Sequence, residues 1–331
     1  MRAKDFIIKG CSKLYKKFTN KKYYDHHPNC VFNRQAANDI IYDTLKSGKP
    51  IMLTRYGSIE IGVANTYRIQ HVDRTFLCKC IDYIKDKTDM PWMDENFPLF
   101  MSRNAGVFNP SREILERFAQ RYLEDSKIVD ILMSVNYKEK FMPLPDACQY
   151  IHFESVYPFF VERPWTRIFK GKKVLVVHPF DKSITKQYAI REKLFENSEI
   201  LPEFELKTLK AVQSSAYSEV PFKDWFEALK YMEDEISKID FDICLLGCGA
   251  YGLPLAAHVK RLGKQAIHLG GGVQLLFGIK GQRWEGEYEW TYNTTEKLNM
   301  NYKDLFNEHW VRPSVDETPK RANEVEGSCY W

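Results

Sequence analysis

The sequence lacks any run of about 18 apolar residues, the length that a membrane-crossing helix needs. Its first residues, MRAKDFIIKGCSKLYKKF, lack the long apolar core and small-residue cleavage site of a secretory signal. The sequence also has little net charge, because its 48 Lys and Arg residues are nearly balanced by 44 Asp and Glu residues. The net charge is +4 over 331 residues. That balance excludes a histone-like role, and no nucleic-acid partner is expected. We therefore expect a cytoplasmic protein.

Cysteine is sparse and poorly spaced for metal binding. The eight cysteines include no CxxC pair, and only Cys78 and Cys80 are close in sequence. A tetrahedral zinc site needs paired ligands, so free thiols are expected. We interpret Cys78 and Cys80 as small apolar side chains on a helix beside Phe76, Leu77 and Ile81.

Apolar and aromatic residues are plentiful, at 44% and 14% of the chain, which is a globular composition. From residue 172 onward, apolar strands alternate with amphipathic helices. Strands are predicted at 172–180, 205–212, 241–247 and 264–270, and helices at 183–196, 222–238 and 251–262. This alternation predicts a Rossmann-like α/β fold, an open parallel sheet with helices on both faces.

The region before residue 172 is less regular. Helices are predicted over 34–47, 58–69, 75–87 and 112–124, strands over 51–54 and 127–135, and an aromatic loop over 88–110. Ser111 is the predicted N-cap of the helix that follows it. We expect one Rossmann-like catalytic domain over 26–285, and a division into two sub-lobes near residue 165 is the alternative.

Both ends of the chain differ from this domain. Residues 1–25 have the pattern of a basic amphipathic helix, with Ile7, Cys11, Leu14 and Phe18 at helical spacing. Its lysines are Lys9, Lys13, Lys16, Lys17, Lys21 and Lys22. Such a helix could lie on anionic lipid at the inner membrane face, or cap the domain as a solvated helix. Residues 286–331 are predicted to wrap the domain, and the aromatics from Arg283 onward include Trp284, Tyr288, Trp290, Tyr292, Tyr302, Phe306, Trp310 and Trp331.

Ligands of open parallel sheets bind beyond the carboxyl ends of the strands. One such end carries GCGAYG (Gly247, Gly249, Gly252), which follows a predicted strand and opens a predicted helix, as a dinucleotide fingerprint does. Its amides could hold phosphate, or its glycines could serve only a tight turn and close packing. The next strand ends in His268 and the triplet Gly270, Gly271 and Gly272. We favour phosphate binding because this triplet supplies a second amide-rich turn.

A second strand end carries RYGSIE. Arg55 offers a fork of donors for phosphate or carboxylate, and Gly57 allows close approach of the backbone. Glu60 falls in the first helical turn, where it could cap amides, act as a base or bind a metal. An Arg55–Glu60 ion pair at the turn is the alternative.

The pattern R-x-G-x-x-E after an early strand, with the glycine turn and H-L-G-G downstream, resembles bacterial glycosyltransferases of the GT-D fold. The resemblance runs from about residue 35 to about residue 285. In that family the motif commonly reads R-x-G-D-G-E, and its Asp-x-Glu portion is thought to hold a divalent metal on the donor diphosphate. Ser58 stands at the Asp position here. Glu60 is then the one candidate ligand for Mn²⁺ or Mg²⁺, and metal dependence stays open.

The resemblance implies a nucleotide-sugar donor and a cell-surface glycan acceptor of the capsule or O-antigen kind, which could be lipid-linked. Glycosyl transfer needs a clamp for the leaving diphosphate and a group that moves a proton. For the proton we select Glu60, then His178 or Asp181, at the end of the strand predicted at 172–180. The predicted donor-binding residues are Arg55, Gly57, Ser58, Gly247, Gly249, Gly252, His268, Gly270, Gly271, Gly272 and Gln274.

Further contacts and other functions are open at this stage. Lys280 and Arg283 could touch donor or acceptor, or form a solvated helix face, and Trp92 and Phe100 could stack on a ligand or form local core. An oxidoreductase or methyltransferase could use GCGAYG, although the acidic residue that would bind a cofactor ribose is missing after the next strand. A non-catalytic assembly protein with this fold is the third possibility.

Overall fold

The computed structural model describes residues 3–19, 26–215, 217–286, 301–325 and 328–331. Over these residues the chain forms a seven-stranded parallel sheet covered by helices, which confirms the predicted Rossmann-like α/β fold. The strands are β1 (Ile51–Thr54), β2 (Ile131–Ser134), β3 (Gln149–His152), β4 (Lys173–His178), β5 (Glu205–Lys210), β6 (Ile243–Leu246) and β7 (Gln265–His268). Strands from both sides of residue 165 thus join one sheet.

The order of strands across the sheet is β3-β2-β1-β7-β6-β4-β5. β1 and β7 are neighbours although they come from opposite ends of the chain. The four central strands are therefore β1, β7, β6 and β4, and each is followed by one of the motifs singled out in the sequence. Because all strands are parallel, these motifs lie along one edge of the sheet.

The helices are α1 (Ala3–Phe18), α2 (Arg34–Lys46), α3 (Ser58–Gln70), α4 (Phe76–Ile84), α5 (Phe97–Arg103), α6 (Arg112–Ser126), α7 (Asp181–Tyr188), α8 (Trp225–Lys238), α9 (Gly252–Arg261) and α10 (Gly272–Leu276). Local sequence explains where several of them begin. The Ser111 hydroxyl accepts the N–H of Ile114 at 3.2 Å, so Ser111 caps α6 as predicted. The hydroxyl of Thr75 caps α4 in the same way.

The core lies on both faces of the sheet. Met52 of β1 packs in one apolar cluster with residues of α6, α8 and α9, whereas Ile51 and Leu53 point to the opposite cluster. Every residue of β1, β2, β6 and β7 is buried. Strands covered on both faces read as continuous apolar runs, and this is why they were recognisable in the sequence.

Several predicted boundaries are wrong. The helix expected over 75–87 ends at Ile84, and the helix expected over 183–196 spans Asp181–Tyr188. The predicted loop 88–110 contains α5. Its Pro98 is compatible with a helix because it stands in the first turn, where the missing N–H of proline breaks no helical hydrogen bond. The short edge strand β3 was not predicted, since its first two residues are polar and partly exposed.

The described N-terminal residues form one helix, and the described C-terminal residues add aromatic side chains to the core. α1 forms as a helix, while Lys21 and Lys22 lie outside the described residues. Trp310 and Trp331 pack in the same core cluster as Leu53. Tyr288, Trp290 and Tyr292 also fall outside the described residues. Among the helices that the structure describes, none combines the length and hydropathy of a membrane crossing.

The cysteines agree with the sequence prediction. All eight are free thiols. Cys78 and Cys80 lie on α4, and Cys80 is buried while Phe76 and Leu77 beside it are exposed.

Candidate functional site

A cavity of about 260 Å³ opens at the carboxyl ends of the four central strands. It brings together residues that are distant in sequence, because the parallel strands deliver their following turns to one edge. The predicted site residues that line it are Arg55, Gly57, Ser58, Glu60, His178, Gly247, Gly249, His268, Gly270, Gly271 and Gln274, and Arg283 lines it as well. Asp181, Gly252 and Gly272 do not line it.

Two glycine turns form the floor of this cavity. Gly249 has a φ of +57° and Gly270 a φ of +58°, a left-handed conformation that favours glycine. The backbone N–H groups of Gly249, Gly270 and Gly271 donate to no acceptor in the part of the chain that the structure describes. Successive N–H groups in such turns make an anion-binding concavity. The floor is therefore suited to a phosphate group.

Arg55 lies above this floor and is half-buried. A Cβ built on Gly270 would be 3.5 Å from Nη1 of Arg55, which places the guanidinium against the second glycine turn. The Thr54 hydroxyl donates to the backbone carbonyl oxygen of Arg55 at 3.4 Å. The guanidinium of Arg55 forms no hydrogen bond or salt bridge with a described residue, so the alternative ion pair with Glu60 is absent. Glu139, a buried carboxyl whose pKa burial raises to about 7, feels its charge only at longer range. Arg55 thus offers a cation to whatever enters the cavity.

Glu60 and Gly57 fit together at the start of α3. Glu60 is buried and occupies the third position of the helix, directly after Ser58 and Ile59. A Cβ on residue 57 would overlap the carboxyl group of Glu60, so glycine at this position lets the carboxylate fold back toward the cavity. Arg55, Ser58 and Glu60 all line the same wall. This arrangement explains the spacing of R-x-G-x-x-E in physical terms.

His178 ends β4 and lines the cavity as a neutral ring. Burial lowers its pKa to about 3. Its Nδ1 accepts the N–H of Phe180 at 3.0 Å, which places the ring proton on Nε2. A Cβ on Gly247 would overlap this ring, so that glycine makes room for His178. The residue is arranged to donate a hydrogen bond from Nε2 without carrying a charge.

The ring of His268 is in contact with the protein on two sides. Its Nδ1 lies 3.1 Å from the Thr54 hydroxyl, and burial lowers its pKa to about 3, with the charge of Arg55 as a second cause. The other side of its ring packs on Gly252, where a Cβ would overlap it. Gly252 therefore serves close packing, the structural alternative for this glycine. Gly272 has a comparable place against the ring of Tyr157.

The remaining predicted contacts divide between cavity and core. Nε2 of Gln274 donates to the carbonyl oxygen of Tyr330 at 3.1 Å, so its amide group anchors the C-terminal residues that form part of the wall. Lys280 lies over the ring of Phe306 and is outside the cavity. Trp92 and Phe100 are also outside it.

Sequence reasoning missed part of the wall. The loop after α5 contributes residues 104–106, the turn after β5 contributes Ser214, and the C-terminus contributes Tyr330 and Trp331. Ser214 donates to the carbonyl oxygen of Gly106 at 2.6 Å and lies 2.9 Å from the Tyr251 hydroxyl, so these segments are tied together. A polar turn directly after a predicted strand, QSS at 213–215, was the available signal.

Glu154 is a second missed residue. It lines a smaller pocket of about 80 Å³ that shares Arg55, Gly271 and Arg283 with the main cavity. The side chain is 3% exposed, and burial raises its pKa to about 7 although Arg34 partly offsets the effect. The rings of Tyr157, Trp284 and Tyr302 line the same pocket. Glu154 follows the unpredicted strand β3 and was overlooked for that reason.

The residues present do not form a protein-held metal cage. Among the described residues that line the main cavity, Glu60 has the one carboxylate side chain and Ser58 adds a hydroxyl. No group of three metal-binding side chains occurs within the described residues. Mg²⁺ is often held by one or two carboxylates together with substrate phosphates. A divalent cation here would depend on such phosphate oxygens as ligands.

No family model and no curated protein matches the sequence. Two solved structures are similar to it over most of its length. One is described as the highly conserved domain of unknown function 1792 with a distinct glycosyltransferase fold; it is 13% identical, covers 95% of this chain and 98% of its own, and has a TM-score of 0.36. The other, a selenomethionine-substituted structure of domain of unknown function 1792, is 14% identical, with 94% and 98% covered and a TM-score of 0.36. A likeness at this TM-score carries no functional argument, so function is inferred from the cavity itself.

Proposed function

We propose that this protein is a glycosyltransferase of GT-D type, which transfers a sugar from a nucleotide-sugar donor to a surface glycan of the capsule or O-antigen kind. The observation that carries the proposal is Arg55, a half-buried cation that forms no ion pair with a described residue and lies against the Gly270 turn. It lines the same cavity as Gly249 and Gly271, whose backbone N–H groups donate to no described acceptor. Such a site selects an anion that accepts several hydrogen bonds. The diphosphate of a nucleotide sugar meets that requirement.

The donor diphosphate is expected to lie between Arg55 and the glycine turns. Transfer forms a bond between an acceptor oxygen and the anomeric carbon, and it breaks the bond from that carbon to the terminal phosphate oxygen. The leaving nucleoside diphosphate keeps the electron pair and gains negative charge. Arg55, the amides of Gly249 and Gly271, and the Nε2 proton of neutral His178 all line the cavity and would stabilise that charge.

A carboxylate must also receive the proton of the acceptor hydroxyl. Glu60 is our first choice, because it shares the wall with Arg55 and Ser58. Glu154 is a second candidate, in the pocket on the other side of Arg55. With a pKa of about 7 it could take up a proton near neutral pH. A divalent cation on the diphosphate would make Glu60 a ligand and leave Glu154 for the proton.

The rival functions have less support in the cavity. A nicotinamide enzyme or a methyltransferase would need an acidic side chain after β7 for the cofactor ribose. His268 stands there, and its ring is occupied by Thr54 and Gly252. A non-catalytic assembly protein would have no use for an arginine that pairs with no described residue and lines the same cavity as two amide-rich turns.

The test is release of nucleoside diphosphate from nucleotide sugars, measured with and without added cell-surface glycolipid extract. Arg55→Ala is expected to weaken donor binding, and Glu60→Ala to slow turnover. The matched control is Arg112→Ala, which removes an exposed arginine outside the cavity. The proposal fails if the Arg55 and Glu60 variants bind and turn over donor as well as wild type.

A further inference from the structure

The N-terminal helix α1 packs on the protein through a mixed face, on which Ile8 and Tyr15 are partly buried beside polar residues. Ser12 is buried, Lys9 lies 3.8 Å from Asp94, and Lys16 lies 3.8 Å from Asp86. An amphipathic helix on a globular protein ordinarily turns its apolar stripe toward the core. Here the stripe points the other way: Phe6, Ile7, Leu14 and Phe18 are 70%, 63%, 57% and 84% exposed.

The neighbouring helix α4 extends this apolar region. α1 and α4 are in contact. The pKa of the Cys80 thiol on α4 is raised, first by burial and then by the charge of Asp5 on α1, which places α1 beside Cys80. Phe76 and Leu77 lie one turn before Cys80 on the same face of α4, and they are 56% and 69% exposed. We call these six exposed side chains on α1 and α4 the outer apolar surface.

The exposed charges beside the apolar stripe of α1 are positive. α1 contains five lysines and one aspartate, so its formal charge of +4 equals that of the whole chain. Lys13 and Lys17 are exposed beside the apolar stripe. A second copy of the chain docked here through α1 would bring two such helices together, and their like charges would repel each other. An apolar stripe flanked by lysines is instead complementary to the headgroups and acyl chains of an anionic membrane.

We propose that the outer apolar surface docks on an anionic lipid bilayer, with Leu14 and Phe18 inserted among the acyl chains and Lys13 and Lys17 at the headgroups. None of these residues lines the main cavity, so docking would leave the cavity accessible. A lipid-linked acceptor would then be presented at the same surface. Docking itself does not depend on the proposed transferase activity.

The experiment is flotation of the purified full chain with phosphatidylcholine vesicles, with and without phosphatidylglycerol. Wild type is expected to bind the anionic vesicles and to dissociate as salt rises. Leu14→Ser with Phe18→Ser, and separately Lys13→Gln with Lys17→Gln, are each expected to lower partitioning about tenfold or more. All four side chains are exposed, so thermal unfolding is expected to be unchanged and serves as the folding check.

Two controls match these variants. Val315→Ser removes an apolar side chain that is 92% exposed elsewhere on the molecule. Lys170→Gln with Lys172→Gln removes two exposed lysines away from α1. Both should bind vesicles like wild type. The proposal is overturned if wild type ignores anionic vesicles, if the α1 variants bind as well as the controls, or if light scattering shows a dimer that Leu14→Ser with Phe18→Ser dissociates.

Discussion

Arg55 and Arg121 provide a matched pair of arginines with opposite expected roles. Both are partly buried, but Arg121 is paired: its guanidinium lies 2.6 Å from Asp125 and 2.6 Å from Glu233. Arg55 forms no salt bridge with a described residue. We predict that Arg55→Met impairs ligand binding without loss of stability, and that Arg121→Met does the reverse.

The magnitudes follow from these partners. Loss of Arg121 leaves the buried Asp125 carboxylate with Arg261 alone, at 2.6 Å. Breaking a buried pair costs about 3–5 kcal/mol, and the remaining partner should reduce this to about 2–3 kcal/mol. Arg55→Met keeps an apolar stem and breaks no pair, so the free energy of unfolding should change by no more than about 0.5 kcal/mol. Hydrogen bonds to charged groups contribute about 1.5–3 kcal/mol, so donor affinity should fall about 10- to 150-fold.

Urea unfolding and donor titration on the same three proteins measure both quantities. The expected pattern is a normal unfolding midpoint with weak binding for Arg55→Met, and a lowered midpoint with near-normal binding for Arg121→Met. The reasoning is refuted if Arg55→Met unfolds as readily as Arg121→Met, which would make Arg55 a structural residue. Full donor affinity in Arg55→Met would refute it equally.

Three further predictions test other parts of the structure. Because burial raises the pKa of Glu154 from 4.5 to about 7, the folded state holds this proton more tightly, and the contribution of Glu154 to stability is lost as pH rises through that window. Glu154→Gln should therefore gain about 3 kcal/mol relative to wild type between the acidic and alkaline ends of a urea-unfolding series, and a constant difference across pH would contradict this. Gly252→Ala should lower the free energy of unfolding by about 1–3 kcal/mol, since its Cβ would overlap the His268 ring. Gly10 has open space around it, so Gly10→Ala should not lower the free energy of unfolding. Equal effects of the two variants in a melting experiment would rule out the packing argument. The ring nitrogens of His178 should stay neutral down to about pH 4 in an NMR titration, because burial lowers its pKa to about 3, and protonation near pH 6.5 would show that the ring is solvated.

The position of the site could be predicted because of the regular strand-and-helix alternation. Buried strands such as β4 and β6 are continuous apolar runs, and the residues after them stand out as glycine, histidine and arginine. Since parallel strands end at one edge, these turns had to meet. The sequence does not show which side chain occupies the space that each glycine leaves free. The fit of His178 against Gly247 depends on β4 and β6 being neighbours, and strand order is not encoded locally.

Two features lay beyond the sequence for identifiable reasons. Glu154 follows β3, a four-residue edge strand whose polar start resembles a loop, so the sequence does not mark the turn after it as a strand end. The pattern of α1 showed which residues share a face but not which face is docked. The ion pairs of Lys9 and Lys16, which orient the helix, are contacts with residues about 70 or more positions away.

The most direct test of the central claim is a thermal-shift screen of the purified protein against UDP-, GDP-, CMP- and dTDP-sugars, NAD and S-adenosylmethionine, each with and without Mn²⁺. A ligand that binds only the native state raises the melting temperature. We predict that one nucleotide sugar stabilises wild type but not Arg55→Met, and its dependence on Mn²⁺ will show whether Glu60 and Ser58 work with a cation. Stabilisation by NAD or S-adenosylmethionine alone, or by no compound in the panel, would contradict the assignment of this cavity to a sugar donor.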